Sequence, residues 1–209
     1  KDIKVAFLDQ AIDFNPRNTL FDEVYSRLGK TYDVIRSYEQ AIASGNAREI
    51  EQAMAAMDAA DGWSAEQRIK QVLSSMKLTR LDQPMGELSG GEAKRAAIAL
   101  MLLQETDFLI MDEPTNHLDI DVIEYLEAYL QKARCTLLMV THDRYFLDRV
   151  CNTIFELDRG ELFSYRGNYS EFLEKREERY TNMQANIDKA RNLLRRELEW
   201  IRSTPQART

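Results

Sequence analysis

The sequence predicts an α/β fold: a parallel sheet, an inserted helical subdomain and a long carboxyl-terminal helix. Three observations carry this. Two short apolar runs, "DFLIMDE" and "CTLLMVTHD", flank one helical segment at 120–132, and strands split by single helices pair in parallel through right-handed crossovers. The stretch from Thr19 to about Met76 is helix-rich. From about Tyr169, the residues Tyr180, Met183, Ile187, Ala190, Leu194, Leu198 and Ile201 recur at steps of three and four, a coiled-coil seam on a charged helix.

Taken in order, "IKVAFLDQ" at 3–10 reads as a short buried strand. "EIEQAMAAMDAA" combines strong helix formers with apolar spacing, and Gly62 is expected to end it. Ser64 with Gln67 forms a capping box for the next helix, whose apolar face is Ile69, Val72, Leu73 and Met76. Ser89–Gln104 is helical. Residues 108–113 form a buried strand ending in acid, and 135–143 a second buried strand. "CNTIFELDRGELFSYRG" reads as a hairpin turning at Arg159-Gly160. The last helix stops at Pro205. One helix cannot bury its own stripe, so it either lies along the domain surface or forms the first arm of a helical hairpin whose second arm lies beyond Thr209.

Composition narrows the function classes. At 209 residues and 44% hydrophobic, the chain supports one core-bearing domain plus an appendage. The longest apolar run, Ala96 to Leu103, falls short of the roughly 18 residues of a membrane span, and no signal-peptide pattern opens the chain. Cys135 and Cys151 lie in or beside apolar stretches and read as reduced core residues of a cytoplasmic protein. The first residue is lysine, so the chain is expected to be part of something longer. Residues 1–160 hold 18 Lys and Arg against 27 Asp and Glu, a net of −9, whereas residues 161–209 hold 10 against 8. The last 35 residues are net +4, so the acidic body repels a polyanion and the tail does not.

Four motifs bear on chemistry. Gly29-Lys30-Thr31 looks like the tail of a phosphate-binding loop, but G-x-x-x-x-G-K-S/T would need glycine where Val24 stands, and Phe21–Leu28 looks helical rather than like a strand. Gly29 is better read as a helix C-cap with Lys30 near the negative end of the dipole. In "LSGGEAKRAAIA", Ser89 and Glu92 match a capping box, yet capping does not account for Gly90 and Gly91 in the first turn. A helix tip stripped of side chains lets an anion reach free amides, with the Ser89 hydroxyl assisting. In "FLIMDEPTNHLD" two carboxylates leave the carboxyl end of a buried strand, where ligands of open α/β sheets bind. Asp112 suits Mg²⁺ beside nucleotide phosphates and Glu113 suits polarising an attacking water. His142 ends the second parallel strand and faces the same phosphate, with Thr141 or Asp143 capping the next helix as the plainer reading. Gln10, at the end of the first strand, is a candidate polar ligand of Mg²⁺ or water.

Together these residues resemble the ATP-binding-cassette ATPases, and within them the ABC-F group of soluble twin-cassette proteins. Leu88–Glu92 resembles the ABC signature, Phe108–Glu113 the Walker B strand, Leu118-Asp119 the D-loop, His142 the switch histidine and Gln10 the Q-loop glutamine. "DEPTNHLD" is similar to the ABC-F form. "YRGNYSEFLEKREER" and "EWIRSTPQART" resemble the start and the first-arm terminus of the linker between cassettes. Asp9 stands where the family often has proline. The resemblance implies a partial P-loop NTPase core. Its parts would be the Q-loop strand (1–14), a helical signature subdomain (15–104), the Walker B and switch part (105–166) and the linker arm (167–209). It implies ATP and Mg²⁺ as cofactors, with ATP sandwiched against a second cassette of the same chain or of a partner molecule. Catalysis would fall to Glu113 and His142, nucleotide contacts to Gln10, Ser89, Gly90, Gly91, Glu92, Asp112 and Asp119, and Mg²⁺ to Gln10 and Asp112. The Walker A loop precedes the Q-loop in the family, and no G-x-x-x-x-G-K-S/T occurs in this chain. By itself it is therefore expected not to bind ATP tightly. The implied partner is the ribosome or other RNA met through the basic linker. A DNA-repair role, known in one ABC-F branch, and the ATPase subunit of a transporter are the alternatives, neither with membrane insertion.

Overall fold

The computed structural model describes residues 2–8, 14–26, 29–104 and 106–203. Gln10 and Pro205 lie outside the described residues. The chain divides into two compact units between Asp143 and Arg144.

The first unit is built on a three-stranded sheet in the order β1 (Val5–Leu8), β2 (Phe108–Asp112), β3 (Thr136–Val140), all parallel. Between β1 and β2 come α1 (Leu20–Ser26), α2 (Lys30–Ser44), α3 (Ala47–Ala59), α4 (Gly62–Ser75) and α5 (Gly90–Leu103). The helix α6 (Ile120–Lys132) makes the crossover from β2 to β3. Its register sets Phe108 beside Thr136 and Asp112 beside Val140, so the acidic end of β2 lies level with the end of β3.

Helix α5 is apolar nearly all round. Ala96 and every residue from Ile98 to Leu103 are buried, as expected of a helix enclosed by other elements rather than lying on a surface. The helical region has its own core of Leu20, Val24, Ile35, Met57, Ile69, Val72, Leu73 and Met76, which includes the whole predicted face of α4. No described helix is long and apolar enough to cross a membrane.

Local readings are corrected at several points. Gly62 does not end a helix: α3 stops at Ala59, and Gly62 opens α4, where an added Cβ would lie 2.6 Å from the Met57 sulfur. Ser64 and Gln67 do not form the expected box, because the N-cap is Asp61 and the Ser64 hydroxyl donates to Asp61 Oδ1 at 2.7 Å. Gly29, with φ +57, is followed at once by α2, so Lys30 stands at the amino end of a helix, not at a carboxyl end.

The strands read as buried are two-faced. Ala6, Leu8, Leu109 and Met111 are buried, while Val5, Phe7, Leu138 and Val140 on the opposite face are exposed, and β3 has no fully buried residue. A short apolar run shows that a strand is suited to burial. Whether both faces are covered depends on what lies over them.

In the second unit, α7 (Arg144–Val150) leads to the antiparallel pair β4 (Thr153–Asp158) and β5 (Glu161–Arg166), then α8 (Tyr169–Ser203). Arg159 (φ +52) and Gly160 (φ +84) make the two-residue turn, both in the left-handed region that such hairpins favour. Ile154, Tyr165 and Phe172 form the core, with Leu147, Cys151, Phe163 and Tyr169 against it. Cys135 and Cys151 are both free and half-buried. The 35 residues of α8 extend about 52 Å at 1.5 Å per residue. Its seam, from Tyr180 through Met183, Ile187, Leu194 and Leu198 to Ile201, is exposed throughout.

Arg179 fastens α8 to the hairpin. Its guanidinium pairs with Glu156 at 2.8 Å and Asp158 at 3.3 Å and lies 3.7 Å from the centre of the Phe163 ring. A planar fork serves all three contacts at once, which an ammonium does not. Arg179→Ala is expected to destabilise this unit by about 1–3 kcal/mol, measured by denaturant unfolding, and Arg179→Lys to recover less than half of the loss.

Candidate functional site

The tip of α5 is closed by a complete capping box. The Ser89 hydroxyl accepts from the Glu92 N–H at 3.3 Å, and the Glu92 carboxylate accepts from the Ser89 N–H at 3.0 Å and from its hydroxyl at 2.7 Å. These Ser89 bonds hold the Glu92 carboxyl below the usual glutamate range, with Arg80 at 3.5 Å adding to the effect. The box does not explain the glycines. A Cβ on Gly90 would meet nothing within 4 Å, and one on Gly91 only Arg95 at 3.7 Å and the His117 carbonyl at 3.8 Å. The chain's own packing leaves room for side chains there, so the bare tip suits close approach by a group from outside.

The end of β2 holds the second half. Glu113 adopts φ +44 and is buried; for a residue other than glycine such a conformation costs on the order of 1–3 kcal/mol. Its N–H donates to the Val140 carbonyl at 2.8 Å, continuing the ladder onto β3. Its carbonyl accepts from Asn116 N at 3.4 Å and from the buried ammonium of Lys94. Its carboxylate accepts from the His142 N–H at 3.3 Å and lies 3.4 Å from the His142 ring nitrogen Nε2. The ring itself stands in solvent. The predicted acid and the predicted histidine are thus in contact, across two neighbouring parallel strands. Asp112, half-buried, precedes them on β2.

Asp119 caps α6 by accepting from the Val122 N–H at 3.1 Å. The same carboxylate takes an ion pair from Lys77 at 2.9 Å, and Lys77 reaches Asp121 at 2.7 Å. The Lys77 bond holds the Asp119 carboxyl low, and the two aspartates push the Lys77 ammonium up.

Two site residues escaped the sequence reading. Lys94 had a signal: it shares a helix face with Ile98 and Met101, and a lysine in the apolar register of a helix must find an acceptor. Burial pushes its ammonium down from the usual lysine range, with the Glu113 and Asp112 charges opposing. Lys77 had none, because its partners lie 42 and 44 residues away.

Among the described residues no three metal-ligating side chains converge. A nucleotide-bound Mg²⁺ takes only one or two carboxylates, joined by phosphate oxygens and water, and the Asp112 carboxylate stands at the end of β2.

A family model described as ABC transporter matches residues 2–116, and a second model of the same description matches 155–209. The chain belongs to the ABC transporter family, and its fold is that of the P-loop cassettes. It is 45% identical to the uncharacterized ABC transporter ATP-binding protein YfmR of Bacillus subtilis, over 99% of this chain and 34% of that protein. It is 36% identical to the energy-dependent translational throttle protein EttA of Haemophilus influenzae, over 99% of this chain and 39% of that protein. The chain therefore spans little more than a third of these relatives. Among solved structures, the ATP-binding subunit of an ABC transporter aligns with a TM-score of 0.57 at 19% identity, covering 78% of this chain and 59% of that one. The RNase-L inhibitor aligns at 0.52 and 23% identity, covering 84% and 30%.

The Glu92 carboxyl sits lower folded than unfolded. Its contribution is therefore fully present above the ordinary glutamate range and is lost as the pH falls through the depressed folded value. Melting temperatures of the wild type and Glu92→Gln are expected to differ near neutrality and to converge in acid. Circular dichroism melts across pH 2–7 check this, and a constant gap would show that the Glu92 charge is not what holds the tip.

Proposed function

We propose that the intact protein is an ABC-F type ATPase of the cytoplasm that binds and hydrolyses ATP with Mg²⁺ between two cassettes and acts on the translating ribosome. The contact between Glu113 and His142 at the end of β2 carries the enzymatic part of the reading. Glu113 accepts the proton of the attacking water, and His142, at its edge, holds the carboxylate and faces the terminal phosphate. Asp112 and Gln10 would hold Mg²⁺, which would supply neutralisation of the phosphate charge. Ser89, Gly90, Gly91 and Glu92 are offered to the nucleotide of the second cassette, and Asp119 lies at the same interface. In this reading residues 1–14 and 105–166 belong to the cassette core, 15–104 to the signature subdomain and 167–209 to the first linker arm. This stretch alone, with no G-x-x-x-x-G-K-S/T, does not hold ATP tightly.

The ribosomal part rests on two supports. Relatives bear the name energy-dependent translational throttle protein. The last 35 residues are net +4 on an otherwise acidic chain, and a basic helix meeting RNA phosphate releases counterions on binding.

Glu113→Gln in the full-length protein is expected to lower ATP turnover by about 100-fold or more while leaving ATP binding intact, as followed by phosphate release and equilibrium dialysis. Wild-type turnover would remove Glu113 from the mechanism. Co-sedimentation with ribosomes is expected to fall steeply as salt rises, and binding indifferent to salt would remove the basic arm from recognition.

A further inference from the structure

Glu113 is conformationally improbable where it stands. It precedes Pro114, and the ring of a following proline restricts a residue to extended backbone. Yet its φ is +44. Its side chain is buried and aimed at His142, and that aim follows from the backbone twist. Something must hold the twist. The N–H is held by Val140 on β3. The carbonyl, which leads into the proline, is held by Lys94 from the neighbouring helix, with Asn116 at a long 3.4 Å.

Lys94 is a costly way to supply one hydrogen bond. The side chain is 9% exposed, and burial works against its charge. The charges of Glu113 and Asp112 favour its ammonium, yet the bond it makes is to a main-chain oxygen. A group placed merely to neutralise acid would bond a carboxylate. A bond to the carbonyl fixes the peptide plane between Glu113 and Pro114, and so the direction in which the carboxylate leaves the strand.

We propose that Lys94 is a positioning residue for Glu113: its ammonium pins the Glu113 carbonyl in the left-handed, pre-proline conformation that turns the carboxylate toward His142 and the water it activates. The proposal rests on the role given to Glu113 above. Because Lys94 lies one turn inside the tip formed by Ser89, Gly90 and Gly91, the same bond ties that tip to the acid of its own unit.

The test is a double-mutant cycle on ATP turnover in the full-length protein. Lys94→Met, which keeps the length of the side chain and removes the donor, is expected to lower kcat by about tenfold or more, the usual cost of losing an outer partner of a site residue, with KM for ATP within about twofold. Lys94→Gln, which keeps an N–H donor without charge, restores most of the rate. In a Glu113→Gln background, Lys94→Met changes the residual rate by less than about twofold, since Lys94 acts only through Glu113. A folded K94M protein with wild-type kcat overturns the proposal. So does a loss that persists undiminished in the E113Q background, or one that falls on KM alone. If K94M does not fold, Lys94→Ala, which removes the donor without leaving a longer side chain to accommodate, carries the same cycle: a kcat loss that vanishes in the E113Q background supports the proposal, and no loss, or a persistent one, overturns it. Wild-type turnover by E113Q alone would defeat the prior assignment of Glu113 and this proposal with it, whereas an impaired E113Q that is further impaired by K94M defeats only this one.

Discussion

A lysine ammonium buried against a main-chain carbonyl is the constraint around which the first unit is arranged. An unpaired cation in that position would cost far more than the unit could sustain. Lys94 therefore demands an acceptor, and the Glu113 carbonyl in the turn leaving β2 supplies one. That bond, together with the buried apolar side chains from Ile98 to Leu103, ties α5 to the end of β2. It follows that the bare helix tip, the acidic strand end and the His117 carbonyl beside Gly91 are neighbours, although residues 89 and 142 are far apart in sequence. The parallel register of β2 with β3 does the rest, setting Asp112 level with Val140 and so bringing His142 within reach of Glu113.

Each unit, taken by itself, also presents exposed apolar side chains. In the first they form the sheet face of Val5, Phe7, Leu138 and Val140. In the second they form the outer face of the hairpin at Phe155, Leu157 and Leu162, and the seam of α8. Exposure is expected of such faces in a chain that spans little more than a third of its relatives. Their pattern is regular: strands alternate by two and the helix by three and four.

The elements were largely legible in the sequence. Helix α6 falls at the predicted 120–132, the hairpin turns at Arg159-Gly160, and α5 is capped by Ser89. Each is set by local chemistry: periodicity, a turn dipeptide, a capping pair. The errors were local as well. Gly62 was read as a terminator because glycine stops helices more often than it starts them. It opens α4 instead, and glycine stands there because the Met57 sulfur of the neighbouring helix lies where a side chain would be. The Ser64 and Gln67 box failed because Asp61 captured the serine hydroxyl. Residues 3–10 and 135–143 read as buried strands, but whether both faces are covered is something an apolar run alone cannot decide.

The sequence by itself determined the chemistry available: two carboxylates at a strand end, a histidine after the next strand, two glycines opening a helix, a charged helix with a continuous seam. Side-chain type, period and capping are short-range properties, and a single chain read residue by residue contains them. Only the tertiary structure decided that Glu113 is twisted into the left-handed region, that His142 touches it, and that Lys94 and Lys77 join the site. Those facts depend on acceptors supplied by residues 19 to 44 positions away. Hydrogen bonding across such distances is fixed by sheet register and helix packing, which no local pattern records.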